Sequence, residues 1–198
     1  MPHFMTIPKN FPWALLLTLP LIFSSCKDDD DALPPPPNQD GEVITTVRYT
    51  LTPVGGGTAL TAQYRDLDGD GGTAPVLSYP AGAVRLTLTR AQTYTGALLL
   101  LDESKSPVDT ISNEVLAEAN DHLFVYRAAP VGLLSITRTD RDTNAPPLEI
   151  GLATRVVAGA APGVGTLQVV LKHQPGAKTG AEAPGDTDVD VTFAVEIQ

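Results

Sequence analysis

From Glu42 onward, apolar and polar side chains alternate with a period of two. In VITTVRYTL, Val43, Thr45, Val47, Tyr49 and Leu51 share one face, while Ile44, Thr46, Arg48 and Thr50 share the other. The segment AVRLTLT repeats the pattern, with Val84, Leu86 and Leu88 set against Arg85, Thr87 and Thr89. Near the C-terminus Val189, Val191, Phe193, Val195 and Ile197 alternate with Asp188, Asp190, Thr192 and Glu196, which should face solvent. Such runs of β-branched and aromatic residues predict half-buried strands. Comparable segments lie at 58–65, 93–101, 122–128, 133–139, 148–157 and 165–173. ALLLL at 97–101 is continuous, as expected of a central strand covered on both sides. Glycine, proline and aspartate punctuate the runs, as in VGGG at 54–57, DGDGG at 68–72, NAPP at 144–147 and GAAPGVG at 159–165.

One interval changes period. In DTISNEVLAEANDH, Ile111, Val115 and Ala119 recur at helical spacing, with Asp109, Thr110 or Ser112 placed to cap the N-terminus. The pattern therefore predicts an all-β fold: an antiparallel β-sandwich of eight or nine strands with one short helix, the alternative being a closed β-barrel.

The N-terminal 41 residues follow another logic. Residues 1–10 carry one formal charge, Lys9, and residues 11–23 are an uncharged, largely apolar run of 13. That is the length of a signal-peptide core and short of the roughly 20 residues a spanning helix needs. Leu21, Ile22, Ser24, Ser25 and Cys26 resemble a lipobox, with Phe23 departing from the commoner leucine or valine. Cleavage before Cys26 and acylation of its thiol and amine would give at least two lipid chains, enough for stable anchoring. Lys27, Asp28 and Asp29, continued by Asp30 and Asp31, resemble the surface-export signal of Bacteroidota lipoproteins, and they also suit a plain solvated spacer. Pro34 to Pro37 should adopt polyproline II. The expected organisation is a signal peptide over 1–25, a lipidated acidic and proline-rich tether over 26–41, and one domain over 42–198. The expected location is the outer membrane, held by lipid and facing outward.

Charge and composition narrow the partners. The first 25 residues hold one of the 13 basic residues and none of the 23 acidic ones, so the remainder has a net charge of −11. Such a surface repels nucleic acid and anionic lipid and favours cations, leaving other outer-membrane or surface proteins as the expected partners. Cys26 is the only cysteine, which excludes an intrachain disulfide, a thiolate metal cluster and a cysteine nucleophile in the domain.

Several constellations could carry chemistry. Asp66, Asp68 and Asp70 occupy the first, third and fifth positions of a D-x-D-x-D-G loop with Gly71 at the turn, a spacing that lets three carboxylates converge on Ca2+. The twelfth position is Leu77 rather than glutamate, and a solvated acidic turn explains the same residues. Asp140, Asp142 and Asn144 form a weaker copy, with Ala145 where the glycine would be. Glu114, Glu118 and His122 lie four apart and would share one helix face. Zinc there would need His173, the other histidine beyond the signal peptide, to come close. Asp188 and Asp190 would form a glycosidase pair only beneath a cleft.

No G-x-S-x-G elbow, P-loop, dinucleotide fingerprint or H-E-x-x-H occurs, and the chain reads as a non-enzyme. Tyr49, Tyr64, Tyr79, Tyr94 and Tyr126 are the aromatics on which a sugar could stack, although strand packing accounts for Tyr49 and Tyr94 equally well.

YRDLDGDGG, TYTGALLLLDES, EANDHLFVY, LKHQP with KTG, and GDTDVDVTF together resemble a family of small Bacteroidota lipoproteins commonly labelled "type 1 periplasmic binding fold superfamily". The label implies two α/β lobes, whereas the alternation along the chain implies a β domain. No activity comes with the resemblance. The function expected is non-catalytic binding or interaction at the envelope, with capture of a small ligand or metal for an outer-membrane transporter as the alternative.

Overall fold

A computed structural model describes residues 42–198 apart from Asp70, Gly71 and Ala81. Cys26, Lys27, Asp28 and Asp29 thus lie outside the described residues, as does the tether. Ten strands and one helix follow in chain order: β1 (Thr46–Pro53), β2 (Leu60–Arg65), β3 (Val76–Ser78), β4 (Leu86–Leu88), β5 (Thr93–Leu101), α1 (Ile111–Ala117), β6 (His122–Ala129), β7 (Leu134–Arg138), β8 (Ala153–Ala158), β9 (Gly163–His173) and β10 (Asp186–Ile197).

They form two sheets, one of six strands in the order β3-β2-β1-β5-β8-β7 and one of four in the order β4-β10-β9-β6. The sheets do not close into a barrel, so the fold is a β-sandwich. It is not the pair of α/β lobes that the family label implies. All strand pairs are antiparallel except β10 with β4, which run parallel.

The alternation read from the sequence is what the sheets bury. Val47, Tyr49 and Leu51 of β1, Leu98 and Leu100 of β5, Leu167, Val169 and Leu171 of β9, and Val189 to Ile197 at alternate positions of β10 form one core. Each such side chain contributes roughly 1.5–3 kcal/mol on burial. Strand β5 is central, as its continuous apolar run suggests. Only one of its faces is buried, Leu99 and Leu101 being half-exposed on the other.

Two terminal positions depart from the alternation. Val43 is 58% and Val84 74% exposed, because each precedes the first residue of its strand and has no opposite sheet to meet. The short edge strand β3 is exposed along its length and has no alternation to announce it.

Tyrosines give the core its polar fixings. Tyr49, fully buried, shares a 2.6 Å hydrogen bond with Thr154 across strands β1 and β8. Its ring lies 5.8 Å from that of Tyr126, whose hydroxyl donates to the Gly151 carbonyl. The hydroxyls of Tyr94 and Tyr79 accept the backbone N–H groups of Thr89 and Ala194. Tyr64, Tyr79 and Tyr126 are partly buried against the core and Tyr94 is inside it, so these rings act as packing elements.

Between β1 and β8, Gly96 of β5 leaves room for the Tyr49 hydroxyl. A Cβ there would overlap both Thr154 Oγ1 and the Tyr49 hydroxyl. Gly96→Ala should therefore lower stability by about 1–3 kcal/mol in urea denaturation, through overpacking and loss of the Tyr49–Thr154 bond. An unchanged midpoint would show that the Tyr49 ring end is free to move aside.

Candidate functional site

At one end of the four-stranded sheet the core face finishes in histidines instead of aliphatic residues. His122 opens β6 and His173 closes β9, and the register sets them directly opposite one another. Opposite residues in antiparallel strands bring their Cβ atoms to roughly 4.5–5.5 Å, close enough for rings to meet. The two imidazoles stack with centroids 4.7 Å apart and planes 7° from parallel.

Glu118 completes the group. One ligand atom each from Glu118, His122 and His173 lies within 4.8 Å of the others. The helix does not carry Glu114, Glu118 and His122 on one face, as their spacing had suggested. It ends at Ala117, Glu118 is its C-cap, and the chain turns before His122 enters β6. Thr110 stands at the N-cap without a side-chain bond, while the Ser112 hydroxyl accepts the Leu100 N–H at 2.6 Å.

The turn is firmly held. Asp121 donates its N–H to the Glu118 carbonyl, and Gln174 and Gly176 donate theirs to the Asp121 carbonyl and carboxylate at 2.6 and 3.0 Å. These bonds fix the start of β6 against the exit of β9, and hence His122 against His173. Fully buried Gln174 also donates through Nε2 to the carbonyls of Ala181, Glu182 and Pro184, gathering the loop that leads into β10.

Protonation suits metal binding. His122 Nδ1–H donates to the Glu118 carbonyl at 3.1 Å, since a carbonyl can only accept, and this leaves the Nε2 lone pair available. Burial, together with the neighbouring His173, holds the His122 pKa below its ordinary value, against the pull of the Glu118 carbonyl and nearby carboxylates. His122 is therefore neutral at pH 7, the form that ligates. A tetrahedral zinc at about 2.05 Å from each ligand needs ligand atoms about 3.4 Å apart. The ligand atoms, all within 4.8 Å of one another, are near that spacing.

More carboxylates surround the group. Glu42, just before β1, has its pKa pushed up to about 7 by burial first, then by repulsion from Glu114, Asp188 and Glu118. Asp188 does not face out beside Asp190 as strict alternation requires. The β9–β10 register shifts between Thr187 and Val189, and Asp188 Oδ2 is buried, while Asp190 stays exposed and accepts from Gln168.

The aspartate loops have other partners. Asp66 accepts the Gly69 N–H at 3.0 Å and the Tyr64 hydroxyl at 3.3 Å, and Asp68 accepts the Thr73 N–H at 2.7 Å. That backbone bond keeps the Asp68 carboxyl below its usual range. Asp70 and Gly71, the rest of the calcium pattern, lie outside the described residues. A groove of about 380 Å³ beside this turn is lined by Gln63, Arg65, Leu67 and Val76 among others, and by none of the histidine group.

Asp140 accepts the Gly151 and Ala153 N–H groups at 2.8 and 3.2 Å. Asp142 accepts the Leu148 and Asn144 N–H groups, the Asn144 side-chain amide and, at 2.8 Å, the Lys178 ammonium. The Lys178 and Asp142 side chains are 1% and 0% exposed, so this pair is internal. Lys178 also donates to the Ala119 carbonyl and so braces the turn before His122.

Glu42, Gln174 and Lys178 were not singled out as site residues by the sequence, and only their tertiary neighbours give them roles. Comparison with protein-family models, curated proteins and solved structures finds no match.

The carboxylate crowd has a pH signature. A folded-state pKa above the unfolded value means Glu42 favours folding while protonated; that contribution is complete below about pH 4.5 and lost as pH rises through about 7. In metal-free protein, Glu42→Gln should match wild type near pH 4.5 and exceed it at pH 8 by roughly 1 kcal/mol, after allowance for solvent screening of a half-exposed group. Urea denaturation at both pH values reads the difference. A gap that does not change with pH would contradict the crowding by Glu114, Glu118 and Asp188.

Proposed function

We propose that this protein is a non-catalytic envelope lipoprotein whose β-sandwich captures a borderline divalent cation, with zinc as the type, at Glu118, His122 and His173. The observation that carries the reading is the convergence of two stacked imidazoles and a carboxylate from three points of the chain within 4.8 Å. Imidazole nitrogen with carboxylate oxygen suits zinc, copper or nickel, whereas calcium prefers six to eight oxygens. The acidic surface adds a field that concentrates cations.

The apolar run, the lipobox-like Leu21 to Cys26 and the acidic tether support anchoring by lipid on Cys26 and display at the outer membrane. A tethered domain of this kind would hold metal near a membrane partner such as a transporter.

Titration calorimetry of the purified, metal-stripped protein should show one zinc per chain with a Kd in the micromolar range or tighter. His122→Ala together with His173→Ala should weaken binding at least about tenfold. Absence of zinc binding by the wild type would end this reading. Separately, cells grown with labelled palmitate should incorporate it into wild type and not into Cys26→Ser. Equal labelling of both would place the lipid elsewhere or nowhere.

A further inference from the structure

Strand β10 pairs with β9 in regular antiparallel order except at one point. Asp186 lies opposite His173 and Thr187 opposite Lys172, yet Val189 is already opposite Leu171, leaving Asp188 as an extra residue. Val189 and Leu171 both face the core. Under strict alternation Asp188 would face the other way, toward the solvent side that Asp190 occupies. A bulge turns the extra side chain aside from that alternation, and bulges commonly serve to re-aim a residue at a functional site.

Asp188 is half-buried, and its Oδ2 accepts no hydrogen bond among the described residues. A buried carboxylate oxygen without a donor costs on the order of 1–3 kcal/mol and calls for a partner. After burial itself, which raises the pKa of this carboxyl, the groups that act most on it are His173 and His122, both pulling it back down. Asp186 and Lys172 act on it as well, and the register sets Asp186, two residues before Asp188, directly opposite His173, so the bulge stands beside the candidate site although Asp188 is not among the three residues whose ligand atoms lie within 4.8 Å of one another.

We propose that Asp188 is the fourth ligand of the Glu118, His122 and His173 site. The assignment rests on the metal-capture reading and sharpens it. Three protein ligands would leave a position open for water, the arrangement of a catalytic zinc. A fourth closes the coordination sphere, so the site holds an ion and does not activate water.

Charge agrees with this. Two neutral imidazoles and two carboxylates offset the two positive charges of the ion, which lowers the cost of placing it in a half-buried setting.

Cobalt(II) substituted for zinc in the full-length protein reports the coordination number directly. Wild type should give the intense visible absorption of a four-coordinate ion. Asp188→Asn should give a weaker band of higher coordination, with zinc affinity reduced at least about tenfold. Asp190→Asn, on the exposed neighbour, should change neither. Asp188→Cys provides a gain of signal: a thiolate-to-cobalt charge-transfer band should appear in the near ultraviolet, and it should be absent from wild type although Cys26 is present. If both Asp188 variants bind zinc as tightly as wild type, with the cobalt spectrum unaltered and no charge-transfer band, Asp188 is not a ligand. In that outcome wild-type zinc binding still stands. If wild type binds neither metal, the capture reading fails and this assignment falls with it.

Discussion

Two sheets bury one face each against the other, and the described domain has no cysteine with which to staple them. Cohesion therefore depends on the interlocking of alternate side chains from β1, β5, β9 and β10. Several buried polar groups of the domain are held in pairs. Tyr49 meets Thr154, Tyr126 meets the Gly151 carbonyl, and Lys178 meets Asp142. Removing one member of such a pair is costly because the other remains buried and unpaired.

The same layer explains why the candidate site lies where it does. The core face of the four-stranded sheet runs through Leu167, Val169 and Leu171 of β9 and ends in His173, with His122 opposite. At that end the sandwich gives way to the α1 terminus and the loop entering β10, whose backbone bonds to Asp121 and Gln174 hold the rows in place. The histidines thus stand on strand ends, while Glu118 arrives from a helix cap and Asp188 from a bulge. Two imidazoles and a carboxylate brought within 4.8 Å of one another are the frame on which the proposed cation site rests.

Much of this fold was legible in the residue order. A period of two over β1, β4 and β10 assigned the strands and their inner faces correctly, because burial against one facing sheet acts on every second residue, whereas the continuous run of β5, expected to be covered on both sides, is buried on one. It failed where that condition lapses, at Val43 and Val84 before their strands begin and at exposed β3. The helix was visible in Ile111 and Val115, but its end was not. Glu118 and His122 keep helical spacing although the chain has already turned, and spacing carries no record of where hydrogen bonding stops.

The chain by itself determined the all-β class, the lone Cys26 and the acidic balance, since each follows from composition or local period, while the choice of sandwich over barrel waited on the strand order. Only the tertiary structure decided that His122 and His173, 51 positions apart, face each other in register, and that Asp188 leaves the outer face through a bulge. Strand pairing and bulges are set by contacts between distant segments, and a single extra residue reverses which way a side chain points.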